Sequence, residues 1–222
     1  MFYKDLGIIE YGKAWNYQEQ LFEKALSDKK EGIAPQSNLL FCEHPHVITI
    51  GKHGKQENLL FQKTYLETKG VSLFQIDRGG DITYHGPGQL VGYPIFDLEY
   101  YNIGLRKYIS NIEEILIRLL ASYDIQAERL EGAAGVWIDT QTPSKTRKIA
   151  AIGVRSSRFV TMHGFALNVN TDLSFFNLIN PCGFTDKGVT SMQKELGYEI
   201  NMNEIKDRTK SLFEQIFNDK IE

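Results

Sequence analysis

A chain of 222 residues, 42% hydrophobic and 24% charged, has the make-up of one globular domain large enough to bury a sizeable core. Its formal charge of −3 argues against general nucleic-acid binding, although a local basic surface can still meet an acidic protein partner. No run approaches the roughly 18 apolar residues of a membrane span, and the N-terminus, M-F-Y-K-D-L-G-I-I-E, is acidic where a signal peptide needs an apolar core, so the expectation is a cytoplasmic chain with no membrane partner.

No internal repeat, low-complexity tract or Pro/Ser-rich linker divides the sequence, which predicts a single domain over residues 1–222. In chain order, residues 15–29 read as a helix. Residues 38–51, N-L-L-F-C-E-H-P-H-V-I-T-I-G, are apolar and β-branched enough for a buried strand broken near Pro45. Residues 71–76 form a shorter strand that ends at a glycine cluster, and residues 90–98 form another. Leu105, Tyr108, Ile109, Ile112, Leu116, Leu119 and Tyr123 then recur at three- and four-residue spacing, the stripe of an amphipathic helix whose wet face takes Arg106, Lys107, Glu113 and Arg118. Residues 135–139, 148–155 and 159–169 read as strands, antiparallel because short turns join them. A last helix from about Asn203 buries Ile205, Leu212, Phe213 and Ile216. Strands with interspersed helices but no strict βαβ alternation predict an α+β fold with a mixed, largely antiparallel sheet and flanking helices.

The stretch R-G-G-D-I-T-Y-H-G-P-G-Q packs four glycines and a proline among Arg78, Tyr84, His85 and Gln89. Clustered glycine loses more backbone freedom on folding than any other residue, so it calls for a wide turn or for a pocket rim where small residues admit a ligand. No nucleotide fingerprint explains it: Gly86, Gly88 and Gly92 miss the G-x-G-x-x-G spacing by one residue, and Gly51-Lys52 is followed by His53 where a P-loop needs Ser or Thr.

Two cysteines far apart in a chain without a secretory signal read as free thiols. Cys42 sits inside an apolar strand and reads as core. Cys182 lies in the turn Asn180-Pro181-Cys182-Gly183 and is the candidate nucleophile, provided a cation or base lies beside it. With an ordinary pKa of about 8.5, only about 3% of a thiol is ionised at pH 7; a shift to about 6 raises this to roughly 90% and requires about 3.4 kcal/mol, which one partly desolvated ammonium can supply. Arg147, Lys148, Arg155 and Arg158 are the nearby cations of the 148–155 strand, and Lys148 opens its apolar run. Five histidines, three of them clustered as His44, His46 and His53, come without H-E-x-x-H or C-x-x-C, so no metal site is expected; His85 and His163 read as pocket-wall hydrogen-bonders. The two tryptophans and Phe175-Phe176 read as core or tunnel lining.

Arg78-Gly79-Gly80, Thr83-Tyr84-His85-Gly86-Pro87-Gly88-Gln89, Gly135-Val136-Trp137, Lys148-Ile149-Ala150-Ala151-Ile152-Gly153-Val154-Arg155, His163-Gly164-Phe165-Ala166-Leu167-Asn168 and Pro181-Cys182-Gly183 follow one another in the order of the lipoyl(octanoyl) transferase family, which the sequence resembles from about the Glu43-His44-Pro45-His46 segment to the segment ending at Ser191. The resemblance implies a fold like that of biotin and lipoate protein ligases, with a tunnel for an acyl chain and no cofactor. It also implies transfer of octanoyl from the thioester of octanoyl-acyl carrier protein to a lysine on the lipoyl domains of 2-oxoacid dehydrogenases and on the glycine cleavage H protein, by a monomer. Cys182 would hold the acyl group, and Lys148 would lower the thiol's pKa and manage protons. The family's substrate-binding segments fall on Arg78, Gly79, Gly80, Asp81, Ile82, Thr83, Tyr84 and His85, on Ala151, Ile152 and Gly153, and on Gly164, Phe165 and Ala166; Asp81 and Ile82 receive no individual role. On this reading the glycines make room for the acyl chain, and backbone N–H groups stabilise the oxyanion. Residues 140–147, T-Q-T-P-S-K-T-R, look like a polar hairpin loop that matches no family motif.

Three other readings stay open. An ATP-dependent lipoate or biotin protein ligase shares the fold but forms an acyl adenylate and needs no cysteine at position 182. An amidotransferase moving octanoyl between lipoyl-type proteins keeps the cysteine relay and changes the donor. A non-catalytic binder of acyl carrier protein or lipoyl domains leaves Cys182 and Lys148 incidental.

Overall fold

The computed structural model describes residues 1–180 and 187–222. The strands are β1 (Phe2–Ile8), β2 (Asn38–Glu43), β3 (Val47–Ile50), β4 (Ser72–Gln75), β5 (Ile82–His85), β6 (Gln89–Ile95), β7 (Glu128–Leu130), β8 (Ala133–Ile138), β9 (Arg147–Ser157), β10 (Val160–Asn168) and β11 (Gly188–Val189). The helices are α1 (Tyr11–Lys30), α2 (Lys63–Thr68), α3 (Leu105–Ala121), α4 (Met192–Leu196) and α5 (Met202–Phe217).

A large mixed sheet runs in the order β1-β2-β6-β10-β9-β8-β7, with β11 added beside β9, and a small sheet runs β4-β3-β5. Among the described residues only β1 with β2, β11 with β9, and β3 with β4 pair in parallel; the other pairs are antiparallel. The expected α+β class with a mixed, largely antiparallel sheet is therefore the observed one.

α3 and α5 cover one face of the large sheet. Tyr108, Ile112, Leu116 and Leu119 of the α3 stripe are fully buried there with Phe41, Phe165 and Phe213, each such side chain contributing about 1.5–3 kcal/mol by leaving water. α1 covers the opposite face, setting Ala14 and Phe22 on Leu40, Cys42, Val91 and Ala166. α5 starts where the Asn201 side chain accepts from the Asn203 N–H.

Several boundaries differ from the sequence-based expectation. The apolar run at 38–51 is not one broken strand: Pro45 turns the chain from β2 in the large sheet into β3 in the small one. Glu113 is not on a wet face. It is 8% exposed and accepts from Arg129 Nε at 3.1 Å and from the Gly135 N–H at 3.2 Å, which satisfies a buried carboxylate. Leu105, by contrast, ends the stripe 40% exposed. In α5 Leu212 and Ile216 are half-buried, and Phe217 takes the core position.

Candidate active site

A cavity of about 450 Å³, within the usual range for small-molecule sites, opens on the α1 side of the large sheet, between β6, β9 and β10 and the small sheet. Thirteen of the residues expected at the site line it: Arg78, Gly80, Asp81, Ile82, Thr83 and His85 from the glycine-rich stretch, Lys148, Ala151, Ile152 and Gly153 from β9, and Gly164, Phe165 and Ala166 from β10. In the antiparallel register Gly164 faces Gly153 and Ala166 faces Ala151, so two pairs of the smallest residues meet across β9 and β10. Gly79 and Tyr84 do not line the cavity. Gly79 ties its N–H to Val154 O at 2.9 Å. Tyr84 is fully buried, bonded through its hydroxyl to His46 Nδ1 at 2.7 Å and stacked on Phe175, because alternate residues of β5 point to opposite faces. Cys182 and its neighbours in residues 181–186 lie outside the described residues.

The glycines make room for the protein's own atoms. A Cβ at Gly153 would lie 3.0 Å from Arg78 Cδ, one at Gly86 1.9 Å from the Tyr84 hydroxyl, and one at Gly164 2.2 Å from Gly92 O on β6. The stretch is also not a single turn, since its centre forms β5. Arg78, 8% exposed, is drawn across Gly153 and donates from Nη2 to Thr49 O and Oγ1 at 3.0 Å and from Nη1 to Gly79 O at 3.1 Å.

Lys148 occupies the start of β9 where two neighbours bracket it: Trp137 of β8 on one side and Val189 of β11 on the other. Its ammonium lies 4.5 Å from the centre of the Trp137 ring and 3.4 Å from Ala134 O. The ring face stabilises the cation. Residues 140–147, expected as a polar hairpin loop, join β8 to β9 around a 3-10 turn at Pro143–Lys145. Lys187, Gly188 and Val189 line the cavity immediately after the segment that carries Cys182.

The far wall is polar but internally bonded. His85 donates from Nδ1 to Gln89 Oε1 at 2.8 Å, and Gln89 Nε2 donates to Asn168 Oδ1 at 2.8 Å and to Tyr84 O at 3.2 Å. Burial first, and then the neighbouring His44, pushes His85 down to about 3, so it is neutral. His163, 2% exposed, donates from Nε2 to Asp77 Oδ1 at 3.0 Å, and Asp77 also pairs with Arg155. Burial lowers the pKa of His163 against the pull of Asp77, and the hydrogen bond from His163 holds the Asp77 carboxyl below its usual value. Behind the wall, burial lowers His44 to about 4 and raises the Cys42 thiol well above its ordinary value, which makes Cys42 a core residue and not a nucleophile.

Tyr11, Val91, Tyr93, Trp137 and Asn168 also line the cavity, and of these only Trp137 and Asn168 carried a sequence signal, each as the last residue of a family-like motif and Trp137 also as core or tunnel lining. Tyr11 opens α1 four residues before the helix expected at 15–29, and Val91 and Tyr93 sit in a strand buried along its whole length, so no alternation marks which residues face a ligand. Among the described residues, no cluster of three His, Cys, Asp or Glu side chains has metal-binding geometry.

The architecture is that of the lipoate and biotin protein ligases. The bipartite lipoate protein ligase of Thermoplasma acidophilum superposes with a TM-score of 0.71 at 16% identity, over 100% of this chain and 86% of that one. Biotin protein ligase from Aquifex aeolicus does so with a TM-score of 0.52 at 13% identity, over 98% and 70%. In sequence, residues 10–214 match the lipoyl protein ligase A/B catalytic domain, and the chain belongs to that family. Octanoyltransferase of Parabacteroides distasonis is 58% identical over 215 residues, covering 97% of each chain, and octanoyltransferase of Bacteroides fragilis is 54% identical over 204 residues, covering 92% of each.

Proposed function

We propose that the chain is an octanoyltransferase of lipoate biosynthesis, moving octanoyl from octanoyl-acyl carrier protein to a lysine ε-amine on lipoyl domains, those of the 2-oxoacid dehydrogenases and of the glycine cleavage H protein. It acts as a single-domain cytoplasmic monomer without a cofactor. The observation that carries the reading is the position of Lys148: a cation over the Trp137 ring at one end of a cavity floored by Ala151, Gly153 and Ala166, beside Val189, with Lys187 on the cavity wall five residues from Cys182.

In the first half-reaction the Cys182 thiolate, favoured by the Lys148 cation, attacks the thioester carbonyl. A carbon–sulfur bond forms to Cys182, the bond to the carrier's sulfur breaks, and the carrier leaves as a thiol after taking up a proton. In the second, the acceptor lysine, as free amine, attacks the acyl-enzyme; the amide forms, Cys182 leaves as thiolate, and Lys148 takes part in removing the amine's extra proton. Neither half-reaction is a redox step, and the starting thioester supplies the driving force, so no ATP is consumed. The covalent relay lets two protein partners use one cavity in turn.

The test is transfer from octanoyl-acyl carrier protein to a purified lipoyl domain in ATP-free buffer, followed by the mass of the lipoyl domain. The reading predicts full octanoylation without ATP; octanoylation that appears only with free octanoate and ATP would identify an adenylate-forming ligase instead.

A further inference from the structure

Residues 52–61 run over the surface beside the cavity, and their side chains are exposed or half-exposed except for Asn58, which is 9% exposed. The turn itself does not require that burial, because the Asn58 N–H to Lys55 O and Leu59 N–H to Gln56 O bonds already close it at 3.0 Å each. The Asn58 amide instead donates from Nδ2 to Asp81 Oδ2 at 2.5 Å, while Asp81 Oδ1 accepts from the Lys55 N–H at 3.2 Å. Asp81 in turn lines the cavity and accepts from the Gly51 N–H through its carbonyl at 3.0 Å.

The opposite side of the same turn holds the chain on its way to Cys182. Asn58 O accepts from the Asn180 N–H at 2.8 Å, the Leu60 N–H donates to Leu178 O at 3.1 Å, and Leu59 bridges Ile179 in antiparallel fashion. One buried asparagine thus joins a residue of the acyl cavity, through its side chain, to the residue two positions before the cysteine, through its backbone. A carboxylate receiving two N–H donors makes a stronger and more directional tie than neutral partners would.

We propose that Asn58, held by Asp81, is a positioning residue that fixes where the chain enters Pro181-Cys182 relative to the acyl cavity, and thereby controls acylation of Cys182. The inference deepens the octanoyltransferase reading and rests on its cysteine relay. Asp81, which received no role from the sequence, becomes the anchor of the tie.

The experiment measures single-turnover acylation of Cys182 by octanoyl-acyl carrier protein, by intact mass, in the wild type, Asn58→Asp, Asp81→Asn and the double variant that exchanges the two side chains. Thermal midpoints and alkylation by iodoacetamide are recorded on the same samples. Asn58→Asp sets two carboxylates against each other and is expected to slow acylation about ten- to a hundred-fold while the thiol stays open to iodoacetamide. The exchanged pair restores the hydrogen bond with donor and acceptor reversed and is expected to return the rate to within about three-fold of wild type. Acylation by Asn58→Asp at the wild-type rate overturns the proposal. So does an exchanged pair that regains the wild-type thermal midpoint but stays slow, or a rate loss that only tracks the unfolded fraction. A wild-type protein that acquires no adduct overturns the relay and the positioning role together, which separates that failure from the others.

Discussion

His44 and His85 are kept uncharged by their surroundings: His44 Nδ1 donates to Ile9 O at 2.7 Å, His85 Nδ1 to Gln89, and both residues are buried. Unfolded, each titrates near 6.5; folded, they titrate at about 4 and about 3. The unfolded chain therefore binds more protons between those limits. Their contribution to stability is complete above pH 6.5 and is lost as pH falls, at about 1.4 kcal/mol per pH unit for each ring. Urea unfolding at pH 7, 6 and 5 should show the midpoint falling below pH 6.5; a midpoint flat from pH 7 to pH 5 would mean that neither ring is held neutral in the native state. At this scale much of the cavity lining was legible, because Lys148, His85 and His163 stand in motifs or glycine-flanked segments. Tyr84 was not, since only the pleat of β5 decides that it faces Phe175 and not the cavity.

Among the elements, β10 shows why its small residues matter. His163 adopts a left-handed backbone with φ of 62°, costly for a residue with a Cβ, and its N–H leaves the ladder to bond Gln18 Oε1 of α1 at 3.2 Å. At the next position the strand passes so close to β6 that only glycine fits. Gly164→Ala is expected to destabilise by about 2 kcal/mol or more, since the clash is with the Gly92 carbonyl and the Pro94 ring, neither of which can turn aside. Gly104→Ala, with no atom within 4 Å of the added methyl, should cost only about 0.5–1 kcal/mol, the difference between glycine and alanine as N-caps. Equal urea midpoints for the two variants would contradict the packing account. Long periodic elements were readable in the sequence: the α3 stripe and the β9–β10 hairpin lie where spacing puts them. β5 was hidden because four residues between glycine pairs carry no period, and β1 because its exposed edge position leaves no apolar run.

Across the whole molecule, the large sheet supplies the cavity floor and the small sheet, with Arg78 and His85, supplies its opposite wall, while α3 and α5 only support the sheet from behind. That arrangement is shared with ligases that use ATP, so the fold does not choose the chemistry; the proposed reading assigns that choice to Cys182 and Lys148. The fold class was legible because strands without strict alternation of helices exclude a doubly wound sheet, whereas the split of residues 38–51 between two sheets depends on contacts that no local pattern carries. The most direct measurement is the intact mass of the purified protein after octanoyl-acyl carrier protein is added without ATP, followed by addition of a lipoyl domain, with Cys182→Ala in parallel. The account predicts one octanoyl adduct on Cys182 that disappears as the lipoyl domain gains the same mass, and none on the variant. A lipoyl domain octanoylated just as fast by Cys182→Ala would contradict it.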